Sequence, residues 1–166
     1  SCLKDDEDKF SKSATERIEE AVKEAITVLQ GAENGWRMEL YPESERIYGG
    51  YTLFLKFNAD NTVVASSENF AAGKTESSYY SVVAESGPVL AFDTNNDIIH
   101  FYSSPTTGAE LGIGTSNGGL EGDSDFIVME ASADFVKLKG RKTNNYAYLY
   151  PIEAGVNWKT ELQSYQ

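Results

Sequence analysis

From Trp36 to Tyr150 the chain alternates apolar and polar residues with a period of two. Trp36, Met38 and Leu40 alternate with Arg37, Glu39 and Tyr41. Tyr51, Leu53, Leu55 and Phe57 alternate with Thr52, Phe54 and Lys56. The same rhythm continues through Thr62–Ser67, Ser78–Ala84, Val89–Asp93, Ile98–Ser103, Asp125–Ala131, Phe135–Lys139 and Tyr146–Tyr150. A period of two puts every second side chain on one face of a strand. The breaks are short and polar: Asn58-Ala59-Asp60-Asn61, Thr94-Asn95-Asn96-Asp97 and Thr143-Asn144-Asn145. Asn and Asp suit such turns because they tolerate positive φ and bond their own backbone. About nine strands joined mainly by short turns predict a mainly β fold. It should be an antiparallel meander, closed into a barrel or folded into a sandwich. No alternation of strand and helix is present, which argues against a parallel sheet.

Before the strands lies one helix. Ser13-Ala14-Thr15-Glu16 fits a capping box, in which the serine hydroxyl accepts the Glu16 amide. Ile18, Val22, Ala25, Ile26 and Leu29 recur at helical spacing, and Gly31 is expected to stop the helix in the left-handed conformation. An isolated helix of this length is marginal in water, so its apolar stripe must pack against the strands. The expected organisation is a polar tether over residues 1–12, an amphipathic helix over 13–31, a β domain over 35–152 and a start of a helix or linker over 153–166. Trp158, Leu162 and Tyr165 share one face of that last segment, and no terminator follows them. The expectation is therefore that the natural chain continues past Gln166. Two connections are long, Pro42–Gly50 and the Gly- and Ser-rich Pro105–Ser124, and long connections in compact domains often carry function.

The formal charge is −12, from 26 acidic and 14 basic residues. That surface repels phosphate backbones, so nucleic acid is not an expected partner. Zinc needs several Cys or His ligands, and the chain has one of each, Cys2 and His100. His100 is expected to be a satisfied or surface strand residue. Asp93-Thr94-Asn95-Asn96-Asp97 spaces oxygens like half of a calcium loop. The glycine and the closing glutamate of such a loop are replaced by Ile98 and Ser104, so the segment is read as a hairpin turn. Glu121, Asp123 and Asp125 could also gather oxygens around a cation. The glycines at 112, 114, 118 and 119 lack the Lys-Ser/Thr of a phosphate loop. No catalytic residue, metal or cofactor is assigned. Ten tyrosines and eight phenylalanines remain. Tyr146, Tyr148 and Tyr150 fall on one face of the last strand, and Tyr79 and Tyr80 fall on opposite faces of an earlier one. Aromatic faces either stack on ligand rings or pack in cross-strand pairs. Tyr79, Tyr146 and Tyr148 are the candidate ligand-binding residues.

Four segments carry a resemblance. They are Gly35-Trp36-x4-Tyr41-Pro42, Gly49-Gly50-Tyr51-x3-Leu55-Lys56-Phe57, Gly119-Leu120-Glu121-Gly122-Asp123-x-Asp125-Phe126 and Val136-Lys137-Leu138-Lys139-Gly140-Arg141-Lys142. Together with the single cysteine at position 2, they resemble the surface lipoproteins of unknown function of Gram-negative gut anaerobes. The Gly35-Trp36 start is also similar to lipocalin-like barrels, in which the tryptophan plugs one end. Lipocalins differ in carrying a helix after the barrel, whereas here one precedes it. The first resemblance implies that Cys2 is lipidated. It also implies that the acidic run Lys4-Asp5-Asp6-Glu7-Asp8 accompanies export to the outer face of the bacterial outer membrane. The expected function is a non-enzymatic binding or assembly module at the cell surface. Its ligand would be a glycan fragment, a small apolar molecule or an envelope protein. The alternatives are a hydrolase acting on polysaccharide, which needs two facing carboxylates, and a structural spacer.

Overall fold

A computed structural model of the chain describes residues 13–40, 50–102 and 124–166. Cys2 with its acidic leader, and most of the two long connections, lie outside the described residues. So do Glu121 and Asp123.

The order is helix α1 (Ala14–Gly31), strands β1 (Trp36–Leu40), β2 (Tyr51–Phe57), β3 (Thr62–Ser67), β4 (Glu76–Ala84) and β5 (Pro88–Phe92), and a 3₁₀ turn at His100–Tyr102. Then follow β6 (Asp125–Ala131), β7 (Val136–Gly140), β8 (Tyr146–Pro151) and helix α2 (Trp158–Gln163). Each strand pairs antiparallel with the next, and β1 pairs with β8 through Trp36 with Pro151 to Glu39 with Tyr148. The strands therefore form a closed eight-stranded barrel in sequence order. Closure removes both sheet edges, which an open meander would leave unpaired.

Alternation becomes inside and outside. Met38, Leu53, Leu55, Phe57, Val63, Ala65, Tyr80, Leu90, Phe92, Phe126, Leu138, Ala147 and Leu149 point inward and form one buried cluster. Arg37, Glu39, Thr52, Lys56, Ser81, Lys137 and Lys139 fall on the opposite parity and face out. Eight strands leave an interior that side chains can fill. Phe57 meets Tyr80 edge to face at 4.9 Å, and Phe92 meets Phe126 at 6.1 Å. The alternation is the reverse of a membrane-spanning barrel, which is apolar outside. No helix among the described residues is long and apolar enough to cross a membrane.

Helix α1 closes one end of the barrel. Ser13 Oγ accepts the Glu16 amide at 3.1 Å, as the capping pattern predicts. Burial along the stripe deepens toward the C-terminus, where Ala25 and Leu29 join the barrel cluster. Gln30 donates to the Tyr80 hydroxyl at 2.8 Å, tying the helix to the lumen. Burial pushes the Tyr80 phenol above its ordinary range, against the opposing pull of that Gln30 bond. Gly31 does not stop the helix in the left-handed region. The chain leaves through Ala32 in an extended conformation, φ −81°, and the left-handed glycine is Gly35, φ +81°. The turn asparagines do behave as expected: Asn61 and Asn144 adopt φ of 66° and 61°.

Of the strand expected over Ile98–Ser103, the described residues Ile98–Tyr102 are not extended, and Asp93–Asp97 is not a hairpin turn. The Asn96 side chain caps a helical turn instead. Its Oδ1 accepts the amides of Ile98 and Ile99, each at 3.1 Å. Its Nδ2 donates to the Glu76 carbonyl and to Ser78 Oγ, each at 3.1 Å. Ile98 and Ile99 are consecutive and both buried, which a helical turn allows and an exposed-face strand does not. His100 is satisfied, but in that turn rather than a strand: its amide donates to the Asn96 carbonyl at 2.8 Å. Asn96→Ala removes a cap and leaves buried polar partners unpaired, so a loss of about 2 kcal/mol is expected. Asn96→Asp keeps the acceptor but buries a carboxylate whose second oxygen faces the Glu76 carbonyl, so it should lose at least as much, read by urea unfolding.

Helix α2 covers the outer face of β2. Leu162 and Phe54 are fully buried against each other's neighbours, and Trp158 meets Phe54 edge to face at 5.7 Å. The Trp158 indole donates to the Asn34 carbonyl, and the Asn34 amide donates back to the Glu153 and Val156 carbonyls.

Candidate functional site

Strand β8 turns Ala147 and Leu149 inward, so Tyr146, Tyr148 and Tyr150 face out in a row. Two residues advance a strand by roughly 6.7 Å, so the row spans about 13 Å. Tyr148 and Tyr150 stand near-parallel, 18° apart, with ring centres 6.5 Å apart.

The neighbours of β8 furnish charge. On β7, Lys139 pairs in register with Tyr146 and Lys137 with Tyr148. Their ammonium groups lie 6.0 Å and 4.4 Å from the centre of the Tyr146 ring. On β1, Arg37 pairs with Tyr150 and Glu39 with Tyr148. The Arg37 guanidinium lies over the Tyr150 ring at 5.0 Å and bonds Glu39 at 2.8 Å. Cations over ring faces are favourable by roughly 0.5–1 kcal/mol at exposed sites, so they brace these rings at small cost. The face therefore has a cationic end at Tyr146 and a neutralised end at Tyr150.

Of the three tyrosines expected to bind ligand, two share this face. Tyr79 does not join them. It lies on the outer side of β4, four strands away around the barrel, and is 55% exposed. Tyr150, Lys137, Lys139 and Arg37 complete the face. The alternation Val136-Lys137-Leu138-Lys139 does place both lysines on one side of a strand. Only closure of β1 on β8 brings Arg37 across from residues more than a hundred positions away.

Elsewhere, a concavity of about 370 Å³ lies between the end of α1 and the barrel rim, with Val28, Trp36, Pro151 and Ile152 among its lining residues. Among the described residues no three of His, Cys, Asp and Glu gather closely enough to hold a metal ion. Asp125 is described, and it sits at the start of β6 with its carbonyl accepting the Arg141 amide.

No curated protein and no solved structure matches the chain. A family model does match, over residues 6–165. That span includes α1, all eight strands and α2, and the chain belongs to the family described as a domain of unknown function (DUF4302).

Proposed function

We propose that this chain is the non-enzymatic binding module of a cell-surface lipoprotein, held at the bacterial outer membrane by lipid on Cys2, and that it takes a glycan on the outer face of β7, β8 and β1. The lipocalin-like character lies in the meander barrel and in Trp36 at its helix-closed end, rather than in a ligand held in the lumen. The inward side chains of the described residues are committed to the core. The outer row of Tyr146, Tyr148 and Tyr150 is the observation that carries the reading. Three aromatic rings at strand spacing on a water-facing sheet offer successive apolar faces to the axial C–H groups of sugar rings, while their hydroxyls stay wet. The acidic leader suits a solvated tether between a lipid anchor and α1.

The test is a binding screen of the intact chain against neutral and acidic polysaccharides. Tyr148→Ala should weaken the bound ligand roughly tenfold, equivalent to about 1.4 kcal/mol. It should leave thermal stability nearly unchanged, because Tyr148 is only half-buried. Tyr79→Ala should leave binding unaltered. Failure of every polysaccharide to bind would overturn this reading in favour of a spacer domain.

A further inference from the structure

We propose that the ligand of this face is an acidic polysaccharide whose ring-borne anions are read by Lys137 and Lys139. The inference rests on the reading of the β7–β8–β1 face as a glycan platform and adds the class of glycan.

The chain has 26 acidic residues for 14 basic ones, so a basic side chain has abundant partners to choose from. Arg37 takes Glu39, and Arg141 takes Glu85 at 2.8 Å. Lys137 and Lys139 enter neither ion pair and rest against Tyr146 instead. The acid nearest in register is Glu130, which pairs with Lys137 across β6 and β7 and is exposed. Lys139 has Ile127 on one side and Tyr146 on the other, with no acid beside it in register. Both lysines are half-buried along their stems, so their ammonium groups are positioned by the sheet rather than free to roam.

The outcome is two cations, in neither of those ion pairs, beside an aromatic ring. An acidic sugar carries both complements on one unit: an apolar ring face and an anion at its edge. Stacking on Tyr146 would bring that edge group beside the two ammonium groups, where its charge is only partly screened. The rest of the surface works in the same direction. A net charge of −12 disfavours binding of a polyanion through charge alone, so attraction at this patch requires the ring contact as well.

The experiment uses the intact chain and titrates polygalacturonate, its fully methyl-esterified form, dextran sulfate and polyglutamate. The ester has the same backbone without the charge. The sulfated polymer separates recognition of a sulfate from recognition of a carboxylate. Polyglutamate is a polyanion without sugar rings. One of the two acidic polysaccharides should bind roughly tenfold tighter than the ester. The double variant Lys137→Met and Lys139→Met keeps the apolar stems and should erase that preference, so that the acidic polymer binds no tighter than the ester to the same variant. Tyr148→Ala should weaken both. Glu130→Gln removes the nearest competing acid and should tighten the acidic ligand, a gain that a merely damaged fold cannot produce. Equal binding of the ester and both acidic polymers would overturn this inference and leave the glycan platform standing. Binding of polyglutamate as tightly as of the acidic polysaccharides would overturn it in favour of an acidic protein partner. No binding by any polysaccharide would overturn both.

Discussion

Trp36→Ala is expected to destabilise the chain by about 4 kcal/mol, within the range for deleting a buried tryptophan. Trp36 is 0% exposed and sits at the first position of β1, where the barrel meets α1. Its side chain does two things at once. The ring fills the helix-closed end of the lumen, in one cluster with Leu29 and Leu149. The indole N–H donates to the Leu29 carbonyl at 2.9 Å. That carbonyl belongs to the last turn of α1, where carbonyls have no partner within the helix. Alanine therefore opens a cavity and also strips a buried acceptor. Trp36→Phe separates the two effects. It keeps most of the volume and loses the bond, so it should cost about 1–2 kcal/mol. For a chain of this length each kcal/mol lowers Tm by roughly 2–4 °C, so the alanine variant should melt about 8–16 °C early. Urea unfolding with an unchanged m-value is the check. A loss under about 1 kcal/mol would mean that the helix does not depend on this residue.

Gly35→Ala should cost about 3 kcal/mol, from two independent sources. Gly35 has φ +81°, a region that costs an L residue roughly 1–2 kcal/mol. A Cβ there would also lie 2.6 Å from the Leu55 carbonyl oxygen and 2.6 Å from Trp158 Cζ2. The oxygen is backbone of β2, in register with Trp36, so it cannot withdraw without breaking the β1–β2 ladder. The indole can move only by releasing its bond to the Asn34 carbonyl. Gly155→Ala is the internal control. Gly155 has φ +88° but nothing within 4 Å of a Cβ, so it should show the conformational cost alone. The difference between the two variants measures the clash. Limited proteolysis gives a second readout: Gly35→Ala should expose the segment around α2, and Gly155→Ala should not. Equal costs for both variants would refute the crowding argument.

Both variants act at the seam where α1, β1 and the C-terminal segment meet, and that seam shows how much of the fold was readable beforehand. The period-two stretches from Trp36 to Phe57 and from Val136 to Tyr150 specified strands and their inward residues, because a buried face imposes its own rhythm. Asn61 and Asn144 marked turns through a conformation that few other residues accept. Ile98–Ser103 misled because a short apolar run suits a buried helical turn as well as a strand. The deciding signal was Asn96, whose side chain bonds groups on β4 as well as its own turn. Gly31 misled because a glycine at a helix end permits the left-handed stop without requiring it.

The tyrosine face divides along the same line. Alternation alone put Tyr146, Tyr148 and Tyr150 on one side of a strand, and Lys137 and Lys139 on one side of another. It could not say that Tyr79 lies half a barrel away, since circumferential order is a property of the whole sheet. Nor could it distinguish a barrel from a sandwich. Sequence by itself determined the strands, the capped helix and which side of each strand is apolar, because these follow from contacts a few residues long. Only the tertiary structure decided that β1 closes on β8, which sets Arg37 beside Tyr150 and completes the charged aromatic face. That choice depends on eight registers agreeing at once and on a helix of the right size to close the end, and no local window of the chain contains either condition.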